Sequence, residues 1–388
     1  MENTADVLII GGGIQGASLA FHLAQRGLKP VVLERRFVAA EATGRSSGLV
    51  RMHYDLELES RLAWISFQYF RDWQEKVGGD CGFTRTGFLK IVPKEYEEQL
   101  RANVAMHREI GIDSSLVTAV DVREMAPYLK TDDFDIAAYE PDSGYADPSA
   151  TTMAMMGAAR DMGARLVQDC QVTGIDVQGG KISGVSTTQG KFYAPVVVNA
   201  AGAWAAEVGR LAGLEIPVDV WRHDTIFVRH PAQLENHLTV IDDTNAMYFR
   251  PETGGLTLVG LEDGNPIGKS PAEFSDSIAP DFVDRAVDRL CLRIPSMEQG
   301  SLHSAHGGLD GITPDQRAIL GQAGPEGFYL ACGFSGTGFK IGPATGLCMA
   351  ELIVDGQAQT MDITPFALSR FSEGKTLVGK HAYENIWR

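Results

Sequence analysis

Cysteine is scarce and scattered. The 388 residues include five, Cys81, Cys170, Cys291, Cys332 and Cys348, and no two stand at C-x-x-C spacing. An odd, dispersed set argues against a disulfide framework or a cysteine zinc site and fits reduced thiols in a cytoplasm. No metal is expected. Long apolar runs are missing too: no stretch approaches the ~20 residues of a membrane span. Glu2 and Asp6 stand where a signal peptide would carry lysines, and the first apolar run breaks at Gly11. A soluble, cytoplasmic protein is the expectation. Positive charge is in deficit, with 34 Lys and Arg against 50 Asp and Glu, a net charge of −16. That balance argues against nucleic acid or an anionic membrane as a partner. Repeats and low-complexity tracts are absent. What is left, 44% hydrophobic and 22% charged, is the composition of a globular protein. Its length exceeds the ~250–300 residues at which one core stops growing, so two domains are expected.

The most informative stretch is Asp6 to Ala20, DVLIIGGGIQGASLA. Val7 to Ile10 is a continuous apolar run, the pattern of a strand buried on both faces of a parallel sheet. Gly11, Gly13 and Gly16 follow at G-x-G-x-x-G spacing, and Ile14 and Gln15 begin a helical pattern. Gly11 permits the tight turn, Gly13 the close approach of a pyrophosphate, and Gly16 close packing of helix on strand. The pyrophosphate would sit on the helix's unsatisfied N–H groups and positive dipole end. A second strand, Pro30 to Leu33, ends at Glu34, about 20 residues beyond the glycines, where an acid accepts ribose hydroxyls. Its charge would repel a 2′-phosphate. Arg35, next to it, joins the cofactor-binding set.

Farther on, Glu41 to Arg51 reads as a loop rich in small donors, and Glu57 to Val77 as one long amphipathic helix. Gly82 to Val92 reads as a hairpin closed at Arg85 to Gly87. Lys94 to Ile110 is a charged helix with Leu100, Val104 and Met106 or His107 turned inward, followed by a short strand and a helix to Tyr128. Asp147-Pro148 starts a helix as N-cap and first residue, and Gly163 ends it. Strands are expected at Arg165–Val167, Val172–Val177, Lys181–Thr187 and Lys191–Val198, the last opening into a second small-residue turn. Residues 217–259 are strand-rich, a helix covers Asp281 to Leu292, and the end returns to strand (Gly327–Ala331) and long helix (Gly338–Val354). The fold class is α/β, α+β overall: a discontinuous Rossmann-like dinucleotide domain (1–85, 147–215 and 305–388) with a β-rich, mixed-sheet substrate domain (86–146 and 216–304).

The order of motifs resembles the FAD-dependent amino acid and amine oxidoreductases related to D-amino acid oxidase: glycine oxidase, sarcosine oxidase and the β subunits of dye-linked proline dehydrogenases. The resemblance spans the chain, through VLIIGGGIQGASLAFHLAQRG, VVLE, SSGLVR, GYADP, VVVNAAGAW, YFRPETGG and ITPDQRAILG…GFYLACGFSGTGFKIGPATG. It implies FAD as cofactor. Ser46, Ser47 and Gly48 match the loop along pyrophosphate and flavin, Val172 the position whose backbone meets adenine, and Gly202 and Trp204 lie in the second turn. Gly333, Phe334, Gly336, Thr337 and Gly338, running into Phe339 and Lys340, open a helix whose N–H groups suit the flavin edge that gains charge on reduction. Gly308 stands where sarcosine oxidase carries its linking cysteine, and no histidine occupies the SSG loop, so noncovalent FAD is implied.

By the same resemblance Arg51 and Lys340 hold a substrate carboxylate over the flavin, a task suited to Arg's planar fork and to a lysine point charge. Arg250 is a third candidate or an ion-pair partner of Glu252. His53, Tyr54 and Tyr248 are candidates for lining the site. The lysine that activates O2 in sarcosine oxidase would fall near Thr257, which favours a dehydrogenase over an oxidase. The implied reaction is oxidation of an amino acid C–N bond, N-alkyl or cyclic, by hydride transfer to flavin N5 and hydrolysis of the imine. Its partners would be a carboxylate-bearing amine and an acceptor, O2 or an external carrier. A 2-hydroxyacid oxidoreductase, or a flavin-bearing electron-transfer or structural subunit of a hetero-oligomer, are the alternatives.

Overall fold

The computed structural model describes residues 3–234, 236–275 and 277–384; the ends of the expected domain division, at 1–2 and 385–388, lie outside them. The Leu8–Ile10 strand sits inside a six-stranded sheet. It pairs in parallel with Val31–Leu33 on one side and Val197–Asn199 on the other. Arg165–Val167 and Phe328–Cys332 extend the parallel set, and Ile319–Gln322 closes one edge antiparallel. Alternation explains why its run is apolar throughout. Val7 and Ile9 pack under the helices Ile14–Gln25, Glu57–Arg71, Pro148–Asp161 and Gly338–Asp355. Leu8 and Ile10 face a second core beneath the three-stranded sheet of residues 172–193.

A nine-stranded mixed sheet makes the other half. Period-two alternation divides it cleanly. Val240, Met247, Phe249, Val259 and Leu261 pack on one face against the Phe282–Arg293 helix. Lys90, Ile241, Tyr248, Leu258 and Gly260, the alternate positions, share the other face, from which Ile241 and Tyr248 line a large cavity. This α/β architecture with mixed sheets is the expected class. No helix among the described residues is long and apolar enough to cross a membrane.

Several local expectations are corrected. Residues 82–92 form no hairpin: Thr84–Arg85 pairs with Gly144–Tyr145, whereas Phe88–Ile91 lies between Thr239–Asp242 and Ile136–Glu140. The Phe88–Ile91 strand is buried at every residue and needs a partner on both edges, which the exposed Thr84–Arg85 cannot supply. The expected strand 191–198 is two, Gly190–Tyr193 and Val197–Asn199, in different sheets. Pro195 between them has no N–H to give a ladder. The long helix breaks at Asp72, and Leu49–Val50 in the expected loop pairs with Gly144–Tyr145. Ser301–Ile312 is a twelve-residue strand along Asp219–Arg229; its SLHSAHGGLDGI carries no apolar alternation to reveal it. Of Met106 and His107, His107 is the inward one.

Candidate functional site: one cavity with two kinds of wall

A cavity of about 550 Å³ runs between the six-stranded sheet and the open face of the larger one. Its dinucleotide side depends on close approach of backbone at glycines, with polar side chains fixing the turns. Gly11 has φ +113°, and a Cβ there would lie 2.4 Å from the Ala200 carbonyl oxygen. A Cβ at Gly16 would lie 2.0 Å from the Gly11 carbonyl oxygen, so only glycine lets this helix sit on its strand. Glu34 fixes the turn: Oε2 accepts the Gly12 N–H at 2.7 Å and Oε1 the Arg36 N–H at 2.7 Å. A carboxylate has about four acceptor sites, so hydroxyl acceptance remains open to it. Thr43 Oγ1 accepts the Ile14 N–H at 3.1 Å at the helix start. Gln15 ties two helix N-termini together, donating to the Gly338 carbonyl at 2.7 Å and accepting from Thr345 Oγ1 at 2.6 Å. Arg35 stacks over Trp204, its Cζ 3.6 Å from the ring centroid.

Of the expected cofactor residues, Gly11, Gly13, Ile14, Gln15, Glu34, Arg35, Ser46, Ser47, Val172, Gly202, Trp204, Gly308, Phe334, Gly336, Gly338, Phe339 and Lys340 line this cavity. Gly16, Gly48, Gly333 and Thr337 stand behind the wall. The GFSGTG donors are shifted from expectation. Ser335 N–H donates to Gly311 O at 2.9 Å, Gly336 N–H to Asp310 Oδ2 at 2.7 Å, and Thr337 N–H to Phe334 O at 3.0 Å. The N–H groups left without an intrahelical acceptor are those of the first turn, from Gly338. Asp310 also accepts from Gly311 N–H at 2.8 Å, and burial raises its carboxyl above the usual range.

The second side of the cavity is made of side chains. Arg51, Lys340, Tyr248, Glu262 and His223 line it. Arg51 Cζ lies 4.2 Å and Lys340 Nζ 5.9 Å from the centroid of the Tyr54 ring, which brings both cations to one place. Arg51 also donates to the His53 carbonyl, and Lys340 Nζ to the Gly336 carbonyl at 3.2 Å. Glu140 holds the Arg51 segment by accepting from Met52 N–H at 3.0 Å and Ser143 Oγ at 2.6 Å; burial pushes its carboxyl up to about 6. Tyr248 lies flat over Gly260, where a Cβ would meet its Cζ at 2.1 Å. Burial, then Glu262, raises the Tyr248 phenol above its ordinary value, so it stays protonated. Burial and the Lys340 charge lower His223 to about 3, leaving a neutral imidazole.

Four expected residues lie elsewhere, Tyr54 among them, a fully buried ring off the cavity. Thr257 is on the helix-covered face of its strand, its Oγ1 2.8 Å from His237 Nε2. One step of register puts a side chain on the opposite face of a sheet, and here Leu258 and Gly260 share the cavity face. Arg250 is structural: it donates to the Ser47 carbonyl, to Pro251 O at 2.7 Å, and pairs with Glu252 at 2.9 Å. His53 is buried behind Arg51, 3.0 Å from the Tyr383 hydroxyl. With His107 and Glu140 it forms a group whose ligating atoms lie within 4.8 Å of one another. None of the four lines the cavity. Glu262, His223 and Asp310 escaped the sequence reading. Only an acid directly after the apolar strand GLTLVGL offered a signal, for Glu262.

Residues 6–352 match the DAO family, described as FAD dependent oxidoreductase. Mitochondrial sarcosine dehydrogenase of Mus musculus is 29% identical over 393 residues, covering 97% of this chain but 42% of that relative. The chain thus spans about two fifths of its length. Glycine oxidase of Geobacillus kaustophilus (strain HTA426) is 28% identical over 381 residues, covering 95% of this chain and 98% of the relative. Among solved structures, L-proline dehydrogenase from P. horikoshii superposes with a TM-score of 0.90 at 26% identity, covering 97% of this chain and 100% of that one.

Proposed function

The chain belongs to the family of FAD dependent oxidoreductases, and from that membership we propose that it oxidises the C–N bond of a small amino acid, N-alkyl or cyclic. The observation that carries this reading is that Arg51 and Lys340 both line the cavity and both lie against the buried Tyr54 ring behind it. Relatives named for sarcosine, glycine and proline support the substrate class.

The residues present fit FAD. Backbone at Gly11 and Gly13 and the helix start at Ile14 suit the pyrophosphate, Glu34 the ribose, and the first turn from Gly338 the flavin edge. Bound there, FAD supplies the acceptor of two electrons and a hydrogen. Attachment is noncovalent, since the position matched to the linking cysteine is Gly308. Most of the cofactor wall comes from segments 1–85, 147–215 and 305–388, which also supply Arg51 and Lys340, and segments 86–146 and 216–304 complete the substrate side.

The chain's own contribution is positioning. Arg51 and Lys340 take the substrate carboxylate by charge-assisted hydrogen bonds, and Tyr248 closes the site over Gly260. Holding the reacting carbon at near-attack distance, about 3–3.5 Å, removes much of the entropic barrier. We favour a dehydrogenase. Thr257, matched to the lysine that activates O2 in sarcosine oxidase, is neutral and lies off the cavity, bonded to His237. The test compares an amino acid substrate with its methyl ester. Loss of one to two decades in kcat/KM on esterification supports the clamp; equal rates for acid and ester overturn it.

A further inference from the structure

Glu262 follows the Leu256–Leu261 strand and lines the cavity beside Tyr248. Its carboxyl is in hydrogen-bond contact with that of Asp243, yet Glu262 Oε1 is buried and receives no donor from the described residues. Two carboxyl oxygens attract only when a proton lies between them, so the pair holds one. Burial raises Asp243 as well, but Lys90 Nζ lies 2.7 Å from its Oδ2, both side chains wholly buried, and that ion pair makes Asp243 the ionised member. Burial and then Asp243 hold Glu262 well above the usual carboxylate range. Glu262 itself lines the cavity. The site is therefore dipolar, with Arg51 and Lys340 for an anion and a proton-sharing acid for a nitrogen.

Resting on the amino-acid reading above, we propose that the Asp243–Glu262 pair receives the substrate's ammonium group and removes its proton. The incoming cation displaces the shared proton to solvent, leaving Glu262 a carboxylate. Glu262 then takes a proton from the ammonium: the N–H bond breaks, an O–H bond forms, and the electron pair stays on nitrogen. No oxidation state changes in this step. It yields the neutral amine, whose lone pair can assist departure of the neighbouring C–H. The charged and titratable groups facing the pair are Lys90, Arg51 and Tyr248, with Asp242 held by Arg293 at 2.7 Å and His53 and Tyr383 around Lys90. Burial keeps His53 neutral and Tyr248 protonated.

The holoenzyme can be titrated by calorimetry with two unreactive ligands. One is 2-aminoisobutyrate, which has no Cα–H; the other is pivalate, in which methyl replaces the amine. Measurements in two buffers of different ionisation enthalpy count protons. Wild type should release about one proton per 2-aminoisobutyrate and none with pivalate. Glu262→Gln should weaken 2-aminoisobutyrate on the order of ten- to a hundredfold, abolish proton release and leave pivalate unchanged. No proton released by wild type overturns the proposal even if the variant does not fold. So does a variant that weakens both ligands equally or neither. Failure of both ligands to bind wild type contradicts the amino-acid reading itself.

Discussion

On its dinucleotide side the cavity is shaped by glycine-permitted backbone in a few short segments, Gly11 to Gln15, Glu34 and the turn at Gly202. On its substrate side it is walled by Arg51, Tyr248, Glu262 and Lys340, side chains carried by four separate elements. The first wall depends on what side chains are missing; the second depends on which face of a strand each one occupies. Substitutions should therefore act differently on the two sides. Steric additions should empty the first of cofactor, and charge deletions should disable the second with cofactor still bound.

The largest effect is expected at Gly16. Its Cβ position lies 2.0 Å from the Gly11 carbonyl oxygen, so Gly16→Val forces helix from strand, on the order of 3 kcal/mol. The purified variant should carry no FAD and melt well below wild type. A variant with full flavin content would show that this contact does not set the binding turn.

Acid should strain both regions alike. Burial lowers His22, between the two long helices, and His237, under the larger sheet, to about 4. Their ordinary value is ~6.5, so the unfolded chain binds more protons between these limits. Stability is then fully present above pH ~6.5 and falls as pH drops toward about 4, by roughly 3 kcal/mol for each histidine at most. The melting temperature followed across that window should decline, and His22→Gln should flatten the decline. An unchanged slope would place the titration elsewhere.

Next come the cations. Arg51→Ala and Lys340→Met should each lower kcat/KM by one to two decades, the ~1.5–3 kcal/mol of a charge-assisted contact. Flavin content should stay at the wild-type level. Loss of FAD instead would move the residue to the cofactor side of the comparison.

The smallest effect belongs to Thr257. Thr257→Val removes the hydroxyl bonded to His237, about 1 kcal/mol of stability, and should not alter turnover. Thr257→Lys should not speed reoxidation by O2, because its side chain enters the helix-covered face. Faster stopped-flow reoxidation in that variant would put residue 257 beside the flavin after all.

The same contrast explains what the sequence discloses. The dinucleotide wall is local: strand, glycines, helix and Glu34 fall within thirty residues and follow from spacing alone. The substrate wall is long-range. Thr257 and Leu258 are neighbours in sequence, yet only pairing with Met247–Glu252 and Asp219–Arg229 decides which faces the cavity. Glu262 draws its meaning from Asp243 and Lys90, brought to it through a sheet whose strands are not consecutive. The misread hairpin at 82–92 has the same origin, since Phe88–Ile91 finds its partners at 137–140 and 239–242. Arg51 and Lys340 stand out through family motifs, and the structure brings both against the Tyr54 ring.

The most direct test of the account is anaerobic reduction of the bound flavin by a panel of amino acids, their decarboxylated amines and matching 2-hydroxyacids. The account predicts that a small N-alkyl or cyclic amino acid bleaches the flavin, and that its amine and hydroxyacid counterparts do so far more slowly. Bleaching by a 2-hydroxyacid in preference to every amino acid, or by none of the panel, would contradict it.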